Sequence, residues 1–378
     1  MTAIRRGEVL IFKGCNFFRQ RLVLSVLSSK SVKITDIRTL DDAPGLKEFE
    51  VSLVRLLDKV TNGTVIEIND EGTSIYFQPG LLYGGTIEHD CSLERGIGYY
   101  LEALFMLSLF CKKPLNATLR GVTNTNIDPS VDLLKTSMIT TMKNFIYDHE
   151  NLDVSIKKRG LRPLGGGEIV FKCPIGQQLR PVQLLESGLV KRVRGTAFAL
   201  RVSPAIANRI VDKAKGVMLN FIPDVFITAD QRRGKQSGNS PGFGVHLTAE
   251  TTKGVIYSAE AVSNVVAFGE EPSLPEDLGE AASQRLCKEI FLGGVVDSTS
   301  QALAILFMAL GPQDVSKIVT GNLTDYTVGF LRNLKEFFGV TFKIEKYHAE
   351  EFVEGSGCEK VLLSCVGLGY TNLSKRTI

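Results

Sequence analysis

One order of elements recurs along this chain: strand, helix, strand, helix and a closing pair of strands. That recurrence narrows the possible folds more than any single motif. Within residues 1–90, Val9 to Phe12 reads as a strand, and Phe17 to Ser28 follows as a helix with Arg19 and Arg21 near its start. Val32 to Ile37 is a second strand. Behind Pro44-Gly45, residues Leu46, Phe49, Leu53, Leu56, Leu57 and Val60 fall at three- and four-residue spacing, which predicts a helix ended by Asn62-Gly63. Thr64 to Ile68 and Thr73 to Phe77, joined by Asn69-Asp-Glu-Gly72, carry a hairpin signal. A comparable unit follows, with helices over Gly98 to Cys111 and Ser130 to Tyr147 and strands over Ala117 to Arg120, Leu152 to Lys157 and Glu168 to Cys173. After residue 280 a third has a buried helix, a helix over Tyr326 to Phe338, and strands over Thr341 to Tyr347 and Lys360 to Leu368. Repetition of one such unit predicts an α/β (α+β) protein of small sheets packed around a shared centre, not one long sheet.

Between Leu185 and Pro275 the texture changes. Thr196 to Val202, Asp224 to Ala229, Gly242 to Glu250 and Gly254 to Ala261 read as strands, with a helix over Pro204 to Leu219. Glu186-Ser-Gly188 before this stretch and Gly269-Glu-Glu-Pro-Ser-Leu-Pro275 after it have the composition of exposed linkers. The expected organisation is repeats one and two over 1–185, an inserted α/β domain over 186–275 and repeat three over 276–378. In repeat three, the run ending at Leu310 is apolar on every side behind its polar first turn, so it must be buried. Asp297 and Ser298 are candidate N-caps, and Gly311-Pro312 is a stop. The positive end of this helix would present Ser298, Thr299 and Ser300 inside a core, where an anion or a catalytic group can sit. No histidine stands there.

Composition adds exclusions. A chain with 44% hydrophobic residues, 22% charged residues and no Trp is globular and soluble in type, and a net charge of +3 is too mild to name a polyanionic partner. The seven cysteines, Cys15, Cys91, Cys111, Cys173, Cys287, Cys358 and Cys365, show no Cys-x-x-Cys spacing and suggest reduced thiols in an intracellular protein. The run from Val9 to Phe12 is too short for a signal peptide, and no stretch reaches the ~20 apolar residues of a membrane span. His89, His149, His246 and His348 lie outside ligand spacing of one another, so no metal is expected, and Glu88-His-Asp90 reads as a polar loop. Asp128 and Asp132 read as helix caps. Gly165-Gly-Gly-Glu168 lacks the Lys-Ser or Lys-Thr of a P-loop and reads as a tight turn before a strand.

Several separated motifs converge: Gly14-Cys-Asn-Phe-Phe-Arg-Gln-Arg-Leu-Val-Leu-Ser25, Asp36-Ile-Arg-Thr-Leu-Asp-Asp-Ala-Pro-Gly-Leu46, Gln78-Pro-Gly-Leu-Leu-Tyr-Gly-Gly85, Arg120-Gly-Val-Thr-Asn124 and Arg159-Gly-Leu-Arg-Pro-Leu-Gly-Gly-Gly-Glu168. Together they resemble the RNA 3′-terminal phosphate cyclase family across essentially the whole chain. Val295-Val-Asp-Ser-Thr-Ser-Gln301 and Ser237-Gly-Asn-Ser-Pro-Gly-Phe-Gly244 look like its eukaryotic, ribosome-assembling branch. The resemblance implies three repeats of a four-stranded sheet backed by two helices, plus a small α/β insert. It also implies a nuclear, nucleolar protein that binds a large ribosome-assembly GTPase, joins the small-subunit processome on pre-rRNA and supports the cleavages that lead to 18S rRNA, without a cofactor and without a membrane.

Departures from the cyclases bear on chemistry. A cyclase uses a histidine to carry AMP, because imidazole is an unprotonated nucleophile near neutral pH and then a good leaving group. Aligning repeat three on the cyclase pattern without gaps puts Thr299 at that histidine and Ala302-Leu303 at the following Asp-Gln. Phe12 and Asn16 fall at the Glu and Gln of the N-terminal loop, Arg19 is retained, and Phe49-Glu50 replaces a Gln-His pair. The resemblance therefore implies a cyclase without its nucleophile.

Arg19, Arg21 and Arg38 either line a remnant phosphate-binding cleft or are solvated arginines. Basic residues gather in Lys157-Lys158-Arg159, in Lys191-Arg192-Val-Arg194 and in Arg232-Arg233-Gly-Lys235, which could form one contiguous patch for pre-rRNA phosphates or three solvated runs. By similarity, Arg332 and Lys335 on the polar face of the last helix are candidates for docking the GTPase. A rival reading makes the chain an endoribonuclease that cuts pre-rRNA itself; residual cyclase activity is a third.

Overall fold

The computed structural model describes residues 9–265, 269–347 and 357–372, so Met1 to Glu8 and His348 lie outside the described residues. The first unit runs β1 (Val9–Lys13), α1 (Phe18–Ser28), β2 (Ser31–Thr35), α2 (Glu48–Val60), a short β3 (Thr61–Asn62), β4 (Val65–Ile68) and β5 (Ile75–Gln78). Its four-stranded sheet has the order β1-β2-β5-β4, parallel between β1 and β2 and antiparallel beyond. Helix α2 starts at Glu48, later than Pro44, because the Glu50 carboxylate accepts a hydrogen bond from the Lys47 amide at 2.9 Å and closes the first turn there. A short β6 (Leu81–Leu82) pairs with β3.

The second unit is β7 (Gly84–Asp90), α3 (Ile97–Leu107), β8 (Lys113–Gly121), α4 (Val131–Phe145), β9 (Asp153–Lys158) and β10 (Gly167–Cys173), with order β7-β8-β10-β9. Glu88-His-Asp90 is therefore the end of an edge strand and not a loop; burial of Ile87 and His89 against exposure of Glu88 and Asp90 gives it the period of two that the sequence hides among polar residues. Helix α3 starts tight against the lead into α4: a Cβ on Gly98 would lie 1.9 Å from the Pro129 carbonyl oxygen, so only glycine fits.

The third unit is split. Its first strand, β11 (Gln183–Leu184), precedes the insert, and α7 (Gln301–Leu310), β16 (Val315–Thr320), α8 (Asp325–Phe338), β17 (Lys343–Lys346) and β18 (Val361–Val366) follow it, with order β11-β16-β18-β17. The sheet orders of the three units thus coincide position by position. All ten residues of α7 are buried, and Phe307 packs edge-on against Phe145 and Phe110. One continuous apolar cluster joins the three units, with α3 touching both α1 and α7 and α8 bridging α1 and α7.

The insert has its own core. It comprises β12 (Val190–Leu200), α5 (Ala205–Met218), β13 (Val225–Arg232), β14 (Gly242–Thr251) and β15 (Ile256–Val262), in sheet order β13-β12-β14-β15. Helix α6 (Pro275–Leu292), unread in the sequence, lies beside α5 on the same face and contributes Leu278, Ala282 and Leu286 to that core, so residues on both sides of position 275 build it. No helix among the described residues is long and apolar enough to cross a membrane, and all seven cysteines are free thiols.

Arg159 ties the insert to the second unit. Its guanidinium, 4% exposed, donates to both Asp132 oxygens at 2.6 and 2.8 Å and to Asp230 at 3.0 Å, and lies over the Phe198 ring at 4.8 Å. A buried cation with two carboxylates cannot be removed without stranding the acids. Arg159→Met is expected to lower stability by about 3–5 kcal/mol in urea unfolding, whereas Lys157→Glu, two residues away and exposed, changes it by about 0.5 kcal/mol or less.

Candidate functional site

The amino ends of six helices meet around one cleft of about 600 Å³. Phe18 and Arg19 come from the start of α1, Phe49 and Glu50 from α2, and Arg95 and Tyr99 from the approach to and first turn of α3. Asp128 and Pro129 lie just before α4, Ser298 and Thr299 before α7, and Thr324 and Tyr326 at the start of α8. Helix amino ends carry partial positive charge, so this convergence biases the cleft towards anions before any side chain is counted.

The side chains oppose that bias. Arg19 donates to Glu102 at 2.5 Å, to the Tyr326 hydroxyl at 3.0 Å and to the Tyr99 carbonyl at 3.0 Å, while the Tyr326 hydroxyl donates to the other Glu102 oxygen at 2.7 Å. Burial works against the Arg19 charge, but Glu102, Tyr326 and Tyr99 outweigh it and hold the pKa above the ordinary value. Arg38 grips Glu50 bidentately at 2.7 and 2.8 Å. Arg95 forks onto Asp128, which also accepts from the Gly96 amide at 2.8 Å, and stacks on the Tyr99 ring at 4.4 Å. Each guanidinium in the cleft is thus matched by an internal carboxylate. Of the three arginines expected here, Arg19 and Arg38 line the cleft; Arg21 is not among the lining residues, but donates to the Gly14 carbonyl at 3.0 Å and lies over the Phe12 ring at 4.4 Å.

Thr299 stands half-buried on the cleft wall in the turn before α7, which begins only at Gln301. Asp297 organises this turn: one carboxylate oxygen accepts from the Ser300 amide at 3.0 Å and the Ser137 hydroxyl at 2.6 Å, and the other has no partner among the described residues. Ser298 is not a cap but donates through its hydroxyl and amide to Glu289 at 2.7 and 3.1 Å. Burial, with Glu289 nearby, pushes the Asp297 carboxyl up to about 6.

None of the three described histidines lines the cleft. His89 bonds Ser52 at 2.9 Å, and burial pulls its pKa down to about 4; His246 is buried in the insert sheet and likewise lowered to about 4; His149 is exposed. Asp128 and Asp132 do not cap α4, whose first turn is capped by the Ser130 hydroxyl; they serve Arg95 and Arg159 instead.

The basic clusters do not form one patch. The register of β12 with β13 sets Val193 beside Val225 and Leu200 beside Arg232, so Arg192 and Arg194 lie roughly 20–25 Å from Arg232 at the ~3.3 Å rise per residue. Arg159 is buried and unavailable to a ligand. Lys191 and Arg192 share Glu250, and Arg194 pairs with Asp224, all in exposed bridges. The first and third clusters do adjoin, because Arg232 donates to the Lys157 carbonyl at 3.5 Å; Lys157, Arg233 and Lys235 are exposed and Lys158 is half-buried. Arg332 and Lys335 are exposed on α8, while Asn333 between them faces inward to Gln20 at 2.8 Å.

Sequence reasoning missed Arg95, Tyr99, Glu102 and Tyr326. The sequence offered little signal for them: Arg95 precedes α3, Tyr99 and Glu102 lie within it, and Tyr326 opens α8, the second helix of its unit.

Three like sheets, an insert in the first crossover of the third, and a cleft ringed by helix amino ends define a protein of the cyclase architecture. The sequence pattern of the RNA 3′-terminal phosphate cyclase family matches residues 10–344, and the chain belongs to that family. It is 54% identical over 99% of both chains to the Probable RNA 3′-terminal phosphate cyclase-like protein of Drosophila melanogaster. It is 55% identical to the RNA 3′-terminal phosphate cyclase-like protein of Homo sapiens, covering 98% of each. The rRNA processing protein rcl1 of Schizosaccharomyces pombe is 42% identical over 98% of this chain and 99% of its own.

The Asp297 carboxyl carries a pH consequence. Its folded pKa lies above its unfolded value, so between about pH 4 and 6 the folded state binds more protons, and stability falls as pH rises through that window. Asp297→Asn should remove that fall, a difference of at most about 3 kcal/mol between the two proteins, read as urea midpoints at pH 4 and 6.5.

Proposed function

We propose that this chain serves rRNA processing by binding and not by catalysis, as a nucleolar component of the small-subunit processome that supports the early pre-rRNA cleavages leading to 18S rRNA. The observation that carries the reading is the state of the cleft. A hydroxyl, Thr299, stands on the wall where the family resemblance puts the nucleophile, and every guanidinium there is held by Glu102, Glu50 or Asp128. Adenylyl transfer as the cyclases perform it needs an unprotonated ring nitrogen and free cations for the triphosphate, and a threonine hydroxyl beside paired arginines supplies neither. That the fission-yeast relative is an rRNA processing protein supports the choice of process.

In this reading the partner is a large ribosome-assembly GTPase, docked on α8 through Arg332 and Lys335, which have no carboxylate partner among the described residues. Pre-rRNA contacts fall to the exposed cations Lys157, Arg233 and Lys235 and to the half-buried Lys158.

Incubation with α-labelled ATP should give no acid-labile adduct, in the natural chain or in Thr299→His, because the paired arginines remain; an adduct in either would restore the cyclase reading. Arg332→Glu should weaken GTPase association about tenfold in calorimetry without lowering the melting temperature, and unchanged affinity would remove that docking assignment.

A further inference from the structure

The insert sheet has two unlike faces. Val225, Ile227, Val193, Ala197, Val245 and Leu247 point into the core beneath α5 and α6. The opposite face is half covered by the second unit: Arg159 lies on Phe198, and Thr136 of α4 reaches His246 and Ser258 at 3.3 and 3.4 Å. The other half is open, and Phe226 stands on it, 59% exposed.

Its surroundings are not apolar. Arg194 is its neighbour across β12, and the nearby threonines lie flat: Thr228 donates to the Gly195 carbonyl at 3.2 Å and Thr248 to the Arg194 carbonyl at 3.2 Å. A ring left proud of a low hydroxyl floor and flanked by guanidinium is a surface for stacking a flat, negatively charged chain. Arg192 and Lys191 lie beyond Arg194, and six residues along β13, roughly 20 Å, the path reaches Arg232 and the exposed Lys157, Arg233 and Lys235. The carboxylates on this path, Asp224, Asp230 and Glu250, are all engaged by arginine or lysine. Exposed pairs such as Arg194 with Asp224 are weak because water screens them, so a phosphate can compete for the guanidinium. The buried Arg159 pairs cannot be opened in this way.

We propose that the open half of the insert sheet binds single-stranded RNA along β13, with one base stacked on Phe226 and phosphates held by Arg194 at one end and by Lys157, Arg233 and Lys235 at the other. The span suits a site of about four nucleotides, the small end of such sites. This rests on the rRNA-processing reading but assigns the contact to a face and a residue that the basic clusters do not name. Phe226 adds contact without charge, so the ring and the cations have separable signatures.

The test is fluorescence anisotropy of the full chain with a labelled ten-nucleotide oligouridylate at several salt concentrations. Phe226→Ala should weaken binding about fivefold to a hundredfold with the salt slope unchanged, and Phe226→Tyr should restore it. The double variant Lys157→Glu with Arg233→Glu should instead flatten the slope. A duplex of the same length should be indifferent to Phe226. Wild-type affinity in Phe226→Ala would overturn the inference while leaving an RNA-binding role intact. Absence of any binding by the natural chain at low salt would overturn both. Phe221, exposed on the loop before β13, is the control: equal losses in Phe221→Ala and Phe226→Ala would make this end a general apolar docking surface for protein and overturn the RNA assignment.

Discussion

The convergence of helix amino ends on one cleft is the constraint from which the rest of this structure follows. Three units of identical strand order each send two helices back over their sheet, and packing the three around a common apolar centre brings the six amino ends together. Six sets of unsatisfied N–H groups and six dipoles with the same sign cannot share a space without compensation. In a phosphate-transferring protein the ligand supplies it. Here three acids do, Glu50 from the first turn of α2, Asp128 from the lead into α4 and Glu102 from within α3, each locked to its own arginine, and the aromatic faces of Tyr99 and Tyr326 cover the Arg19 guanidinium.

That internal neutralisation has a structural return. Glu102 on α3 joins Arg19 on α1 and Tyr326 on α8, so one buried carboxylate bonds elements of all three units. The charge pairs that occupy the cleft also tie the repeats to one another. Opening them for a triphosphate would cost the desolvation of whichever partner was left behind. The same logic acts at the second junction, where Arg159 holds an acid from the second unit and an acid from the insert. A sequence cluster of three basic residues thereby divides into an exposed lysine, a half-buried lysine and a buried arginine with different work.

How much of this was legible depended on periodicity. Strong apolar spacing gave α2, α5 and α8, and the run from Gln301 to Leu310 announced a buried helix. The family resemblance rested on turn motifs such as Arg120 to Asn124, whose residues are set by local backbone needs. The first strand of the second unit was missed because Glu88, His89 and Asp90 conceal its alternation. β16 was missed within Val315 to Thr320, and α6 because its apolar stripe of Leu278, Ala282 and Leu286 is narrow. The α7 cap differed from expectation because Ser298 found a partner on α6, Glu289, which no local pattern encodes.

The amino-acid order by itself determined the repeated unit, the burial of α7 and the hydroxyl at its tip, because spacing and residue type are local properties. Only the tertiary structure decided which charges are free. Lysine and arginine look alike along a chain whether they face water or a carboxylate a hundred residues away. Pairing depends on distances that exist only once the units have packed, and that is why Arg19, Arg38 and Arg159 are bound while Lys157, Arg233 and Arg332 have no carboxylate partner among the described residues.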